Sequence, residues 1–302
     1  MSRSRWKHRA EYGIARALQS LVTALPEGAA ERLGRGVGAL VHSPLAIRLD
    51  TVHANLRRAF PDASEEWVEC TARAAFRHLG RESAAILRLS RLDARAIVER
   101  TEMEGWEALQ EGLSEGRGAL LATGHFGNWE IGAASIAARG IPMEAVVKRL
   151  ANQLVDARLD ELRRRLGVET IDMGEAPQRI PRALRAGHVV GMVADQDARH
   201  TGVWVPFFGH PASTHRGPAL FALRLRAPLF ASFARRLPGR GARYHIRLER
   251  LTVRRTTDME ADLRRVTAEL NERLESAIRA HPEQYFWFHR RWKSVPPAEL
   301  TP

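Results

Sequence analysis

Residues 116–130 read Gly-Arg-Gly-Ala-Leu-Leu-Ala-Thr-Gly-His-Phe-Gly-Asn-Trp-Glu. Within this stretch Ala119–Thr123 is a short, unbroken apolar run between glycines, the pattern of a strand buried on both faces of a parallel sheet. Comparable runs recur at Met143–Val147, 168–171, Val189–Val193 and 229–233, separated by helical stretches at 154–166 and 176–186. This alternation predicts an α/β fold with a mostly parallel central sheet flanked by helices, whose active residues lie beyond the carboxyl ends of the strands. Tyr244–Leu251 alternates apolar and polar residues and reads as a half-exposed edge strand, and 258–280 reads as a long helix. Residues 1 to about 115 read as mostly helical, with Ser64 as the N-cap of a helix running to about Leu89. No internal repeat, low-complexity tract or phosphate-binding P-loop interrupts the pattern.

Composition narrows the function classes. With 302 residues, 44% hydrophobic and 27% charged, the chain is neither disordered nor fibrous. A single cysteine, Cys70, excludes an intrachain disulfide framework and a cysteine-cluster zinc site. The formal net charge of +12 is carried almost wholly by arginine, since lysine occurs only at Lys7, Lys148 and Lys293. Such a field favours anionic partners, whether nucleic acid, an anionic membrane surface or a phosphorylated or acidic substrate. No nucleic-acid motif accompanies it, and no nucleic-acid partner is expected.

No apolar stretch approaches the length of a membrane-spanning helix; residues 33–47 come nearest and are broken by Arg35, His42 and Pro44. The N-terminus lacks the compact apolar core of a secretory signal. Instead Trp6, Ala10, Ile14, Ala17, Leu18, Leu21, Val22 and Leu25 recur at helical steps beneath a basic rim, ending at Pro26. A helix of this kind can lie in a membrane interface, or its apolar stripe can cover a core. The expected division is an amphipathic membrane-association helix over 1–30 and a single catalytic domain over 31–302.

His125 immediately follows the buried strand, and Glu130 follows five residues later as the next helix begins. A turn there can bring the carboxylate onto one ring nitrogen, leaving the other to take a proton from a hydroxyl. With no serine or cysteine nearby in sequence, the simplest chemistry is direct attack of an activated alcohol on a carbonyl. A structural or metal-binding pair would show the same residues. His200, His210 and His215 could be imagined as further ligands, but their spacing matches no standard zinc site, and no metal is expected.

The segment His125-Phe126-Gly127-Asn128-Trp129-Glu130 resembles the H-x-x-x-x-[DE] signature of the lipid A late acyltransferases. Val193-Ala194-Asp195-Gln196-Asp197 with Val203-Trp204-Val205-Pro206-Phe207-Phe208-Gly209 is similar to that family's downstream block. Pro282-Glu283-Gln284-Tyr285-Phe286-Trp287-Phe288-His289-Arg290-Arg291-Trp292-Lys293 resembles its C-terminal signature, and Asn55-Leu56 with Ala59-Phe60-Pro61 agrees near the front. The resemblance implies a glycerolipid-acyltransferase fold and a peripheral enzyme on the cytoplasmic face of the inner membrane. It also implies an acyl-carrier-protein thioester as donor, no cofactor beyond that co-substrate, and a glycolipid hydroxyl, most simply on a lipid A precursor, as acceptor. His125 would be the general base and Glu130 its orienting partner. Asn128, Lys148, Arg149, Asp195, Asp197, Arg216, Arg290 and Arg291 are the candidate substrate-binding residues, the last two beside an interfacial aromatic patch. Asp195 and Asp197 could equally cap a turn, Arg291 could equally sit in the core, and acyl-CoA with a phosphatidylinositol mannoside is the neighbouring donor and acceptor pair.

Overall fold

The computed structural model describes residues 3–298; the outer limits of the expected division, residues 1 and 302, lie outside them. Five helices open the chain: α1 (Arg3–Ala24), α2 (Glu27–His42), α3 (Leu49–Ala59), α4 (Glu65–Arg88) and α5 (Ala94–Glu99). Strand β1 (Thr101–Glu104) and α6 (Trp106–Ser114) lead into the alternating part: β2 (Ala119–Thr123), α7 (Trp129–Ala138), β3 (Met143–Val147), α8 (Gln153–Arg165), β4 (Val168–Asp172), α9 (Ala176–Arg185) and β5 (Val189–Val193). A hairpin of β6 (Val203–Phe207) and β7 (His210–Thr214) follows, then α10 (Gly217–Leu225), β8 (Leu229–Arg236), β9 (Tyr244–Leu251) and α11 (Met259–Ala280).

The seven-stranded sheet runs β1-β9-β8-β2-β5-β3-β4. Every neighbouring pair is parallel except β8 with β9. The expected α/β architecture is therefore the one observed. Two local readings are corrected. β9 is not the edge strand, because β1 pairs with its first half; the charged stretch Thr-Glu-Met-Glu carries too little apolar pattern to read as a strand. The hairpin, too, has no counterpart in the apolar-run reading, since Pro206 and Pro211 interrupt its pattern.

Successive side chains of a strand point to opposite faces, and β2 divides its residues accordingly. Leu120 and Ala122 join the cluster formed with α3, α4, α10, α11 and the C-terminal segment, while Ala119 and Leu121 join the cluster beneath α6 and α7. Each fully buried leucine or phenylalanine contributes about 1.5–3 kcal/mol, which commits the short β2 to the centre of the sheet. Trp287, Tyr285 and Phe288 are buried in the first cluster. The C-terminal aromatics are thus core, not an interfacial patch.

Helices α2 and α4 touch backbone to backbone through glycine. A Cβ on Gly38 would lie 2.1 Å from the Phe76 carbonyl oxygen, and one on Gly34 would lie 2.4 Å from that of Gly80. This approach brings Glu31 of α2 and Glu82 of α4 onto Arg236 at the end of β8, where both carboxylates pair with one buried guanidinium. Tyr244 donates its hydroxyl to Glu82 at 2.7 Å. Burial alone would raise the Glu82 carboxyl, but Arg236 and these hydrogen bonds hold it below its ordinary value.

Helix α1 rests on α4 and α8 through a largely polar side. Asn152 donates to the His8 carbonyl, and Arg88 and Arg91 donate to the carbonyls of Val22, Thr23 and Leu25 at the helix end. Most of the apolar stripe faces outward: Trp6 is 65% exposed, Ile14 62%, Leu18 49% and Leu21 50%, whereas Val22 at its end is buried with Ala30 and Ala84 and Leu25 packs beside it. No described helix is long and apolar enough to cross a membrane.

Gly38→Ala forces α2 and α4 apart and should cost about 2 kcal/mol. A urea titration should show the midpoint falling with the slope unchanged; a wild-type midpoint would contradict the close crossing.

Candidate active site

The sheet register assembles the site. Thr123 of β2 pairs with Val193 of β5 in parallel. The Ala194 amide continues the ladder by donating to the Thr123 carbonyl at 2.9 Å. Two residues beyond each paired end stand His125 and Asp195, side by side at the carboxyl edge. Asp195 Oδ1 lies 2.7 Å from His125 Nδ1, and Oδ2 accepts the His125 backbone N–H at 2.9 Å. An ionised carboxylate only accepts, so Nδ1 carries the proton in the neutral ring and Nε2 is left bare. The His125 side chain keeps 22% exposure while that of Asp195 keeps 3%.

Glycine permits this approach at two points. Gly124 stands where a Cβ would meet Leu274 at 2.9 Å and Asp195 Oδ2 at 3.3 Å. Gly127 has φ +57°, and a Cβ there would lie 1.9 Å from the Ala234 carbonyl oxygen. The loop is tied down from the C-terminal segment: Phe286 N–H donates to the His125 carbonyl and Gly127 N–H to the Gln284 carbonyl, both at 2.9 Å. The Gln284 side chain in turn bonds both backbone groups of Arg236. Trp129 and Phe286 flank the imidazole, with centroids 4.8 and 5.8 Å away.

Glu130 does not reach His125. As α7 begins, its carboxylate turns to α8 and accepts both arms of Arg163, at 2.6 and 3.0 Å. The expected orienting contact is therefore corrected: Asp195 makes it, because the fold aligns β5 with β2 while the first turn of α7 points Glu130 at α8. Glu130 acts on the ring only through charge. Burial alone would lower the His125 pKa, but the Asp195 charge and hydrogen bond, with Glu130 farther off, raise it above the ordinary value. Burial would likewise raise Asp195, yet His125 and the two hydrogen bonds keep it below the usual carboxylate range.

The remaining candidates separate into buried and exposed. Asn128 has no exposure; it caps α7 by accepting from Ile131 N–H and donates to Glu82, so its side chain is turned inward and supports the loop. Arg149 is committed to Asp156, Asp160 and Asp172. Lys148, one residue past β3 on the same edge, is exposed with no protein partner, as are Arg216 and Arg290. Asp197 accepts from Ser294 and, through its N–H, donates to His289. Arg291 is buried and binds no external group in its place beneath β7. Among the described residues no group of three or more His, Cys, Asp or Glu converges as a metal site would require. Gln284 and Arg163 were not singled out from sequence; each acts through a partner distant in the chain, which leaves no local signal.

The family model described as bacterial lipid A biosynthesis acyltransferase matches residues 6–294. The chain belongs to this family. Among its relatives, the lipid A biosynthesis lauroyltransferase of Escherichia coli K12 is 30% identical over 279 residues, covering 91% of this chain and 89% of that one. The lipid A biosynthesis palmitoleoyltransferase of the same organism is 29% identical, covering 89% and 86%. A phosphatidylinositol mannoside acyltransferase of Mycobacterium tuberculosis is 28% identical over 225 residues, covering 72% and 69%. The lipid A acyltransferase family member described here is thus an O-acyltransferase, using an acyl donor and a lipid acceptor.

If His125 serves as a base it must be unprotonated to act, and kcat/KM should rise with pH through a midpoint above the ordinary histidine value of about 6.5. Asp195→Asn should lower turnover by about 10²–10⁴ and Glu130→Gln far less. Steady-state rates of the purified variants check this; a Glu130 variant as impaired as the Asp195 variant would return the orienting role to Glu130.

Proposed function

We propose that this acyltransferase moves a fatty acyl chain from an acyl-carrier-protein thioester to a hydroxyl of a lipid A precursor by direct attack. The observation that carries the reading is the imidazole held by Asp195 with Nε2 bare at the mouth of the sheet. Nε2 takes the hydroxyl proton as the oxygen adds to the thioester carbonyl. When the tetrahedral intermediate collapses, the C–S bond breaks and the imidazolium returns its proton to the departing sulfur. The products are an ester and a free thiol, with no acyl-enzyme and no cofactor. A lipid A acceptor is supported by the family and by relatives named for lipid A, and the mannoside-acylating relative makes that glycolipid with acyl-CoA the competing pair. Exposed Lys148, Arg216 and Arg290 are suited to the phosphates of such an acceptor or to an acidic carrier protein.

The outward stripe of α1 supports attachment at the cytoplasmic face of the inner membrane. A helix that served only to cover a core would turn Trp6, Ile14, Leu18 and Leu21 inward; here polar contacts and the buried Val22 hold it, and those four side chains are exposed. On α2, Leu33, Val37 and Leu40 add further exposed apolar area.

His125→Ala should abolish transfer without loss of fold, and mass spectrometry of glycolipids from cells with and without the active protein should reveal one acyl chain missing from a lipid A species. Acylation of a different glycolipid class would redirect the acceptor, and retained transfer would remove His125 as base. Replacing Leu18 and Leu21 by glutamate should release the protein from sedimenting anionic vesicles while leaving its thermal midpoint unchanged; undiminished co-sedimentation would place the contact elsewhere.

A further inference from the structure

Among the described residues two guanidinium groups, those of Arg236 and Arg291, are deeply buried, and they are satisfied in opposite ways. Arg236 is paired with the carboxylates of Glu31 and Glu82. Arg291 is 2% exposed and has no carboxylate within ion-pair distance among the described residues. Nη1 donates to the Ser213 carbonyl at 2.7 Å and Nη2 to Thr214 Oγ1 at 2.6 Å. The guanidinium carbon lies 5.0 Å from the centre of the Phe207 ring, and Nε is buried without a partner. A charge in this position is expensive unless a nearby charge of opposite sign compensates it. A hydrophobic side chain would fill the same space between β6, β7 and the C-terminal segment more cheaply.

The carboxylates whose charge acts on Arg291 are Asp195 and Asp197, and neither offsets its burial. Thr214, which fastens Arg291, lines the same small pocket as Asp195, and it pairs across a β-bridge with Asp197 two residues farther along. Besides His125, Arg291 is a cation whose charge favours the ionised Asp195 carboxylate. Of the other titratable groups around it, all but the exposed Lys148 are neutral or already paired. His215, after β7, and His289, in the C-terminal segment, are both pushed toward the neutral form by burial, with Arg291 adding to the effect. The Tyr285 phenol, facing Asp195 from the C-terminal segment, is driven well above its ordinary pKa and stays protonated. Asp197 is bonded to Ser294, and Glu130 on α7 to Arg163. Lys148, exposed just past β3, adds a weak charge effect that also lowers the His215 pKa. α11 presents only Thr267, Leu270, Asn271 and Leu274 to the pocket.

We propose that Arg291 is a positioning residue that acts by charge: lodged behind Asp195, its guanidinium opposes proton uptake by the Asp195–His125 pair and so keeps the base available. Asp195 by itself makes His125 more basic, which costs free base at neutral pH; the buried cation limits that cost while the carboxylate retains its orienting grip. The inference rests on the assignment of His125 as base, but its test does not require turnover.

The test is an NMR titration of the His125 ring in the full-length protein, with the signal assigned by its loss in His125→Gln. In Arg291→Gln the pair should bind its proton at higher pH, with the midpoint raised by about one unit. Arg291→Lys, which keeps the charge, should titrate close to the wild type. An unshifted midpoint in folded Arg291→Gln, or an equal shift in the lysine variant, would overturn the proposal and leave Arg291 a structural tie. Should the glutamine variant fail to fold, Thr214→Val unfastens Nη2 with the charge retained, and a smaller upward shift is expected; no shift there would equally overturn it. If the midpoints behave as stated while His125→Ala retains transfer, the electrostatic inference stands and the assignment of the base fails.

Discussion

Both oxygens of Asp195 are spent on one residue, gripping the backbone N–H and the ring Nδ1–H of His125. That double contact fixes the loop and the tautomer together, and much of the molecule is arranged to make it. It requires β2 and β5 to be adjacent, parallel and in the register that levels residues 125 and 195. It requires no side chain at position 124. It also requires a wall behind the loop, which the segment 284–286 supplies by bonding the His125 and Gly127 backbone.

Charge is used at two depths. The Glu31–Arg236–Glu82 group joins α2, α4 and β8 and reaches the His125 loop through Asn128, so the helical N-terminal part is tied to the candidate site by buried hydrogen bonds. Breaking such a network leaves uncompensated buried charge, which is more damaging than the net value of the intact pairs. Nearer solvent, arginines such as Arg149 and Arg163 are occupied by local carboxylates, and the charge open to partners is held by others, among them Lys148, Arg216 and Arg290. The formal excess of +12 therefore overstates what a substrate meets at the site.

The parallel core was readable because strands buried on both faces are written as short apolar runs, and the runs at β2, β3 and β5 coincide with the strands. His125 was readable because it directly follows one of them. Its partner was not: Glu130 is near in sequence, whereas Asp195 is 70 residues away, and only the strand order reveals that β5 lies beside β2. The same limit applies to Arg291: its neighbour Arg290 carries the same side chain, yet of the two only Arg291 turns inward. In α1 the amphipathic pattern was plain, but which way the face turns depends on distant partners: Asn152, Arg88 and Arg91 bond its backbone, and only Val22 and Leu25 enter a small cluster with α2 and α4.

The central claim is a statement about one proton, and ¹⁵N NMR of the His125 ring reads it directly. At a pH where the ring is neutral, the account predicts that Nδ1 is protonated and Nε2 bare, and that this preference is lost in Asp195→Asn. A proton found on Nε2, or a tautomer indifferent to removal of the Asp195 charge, would contradict it.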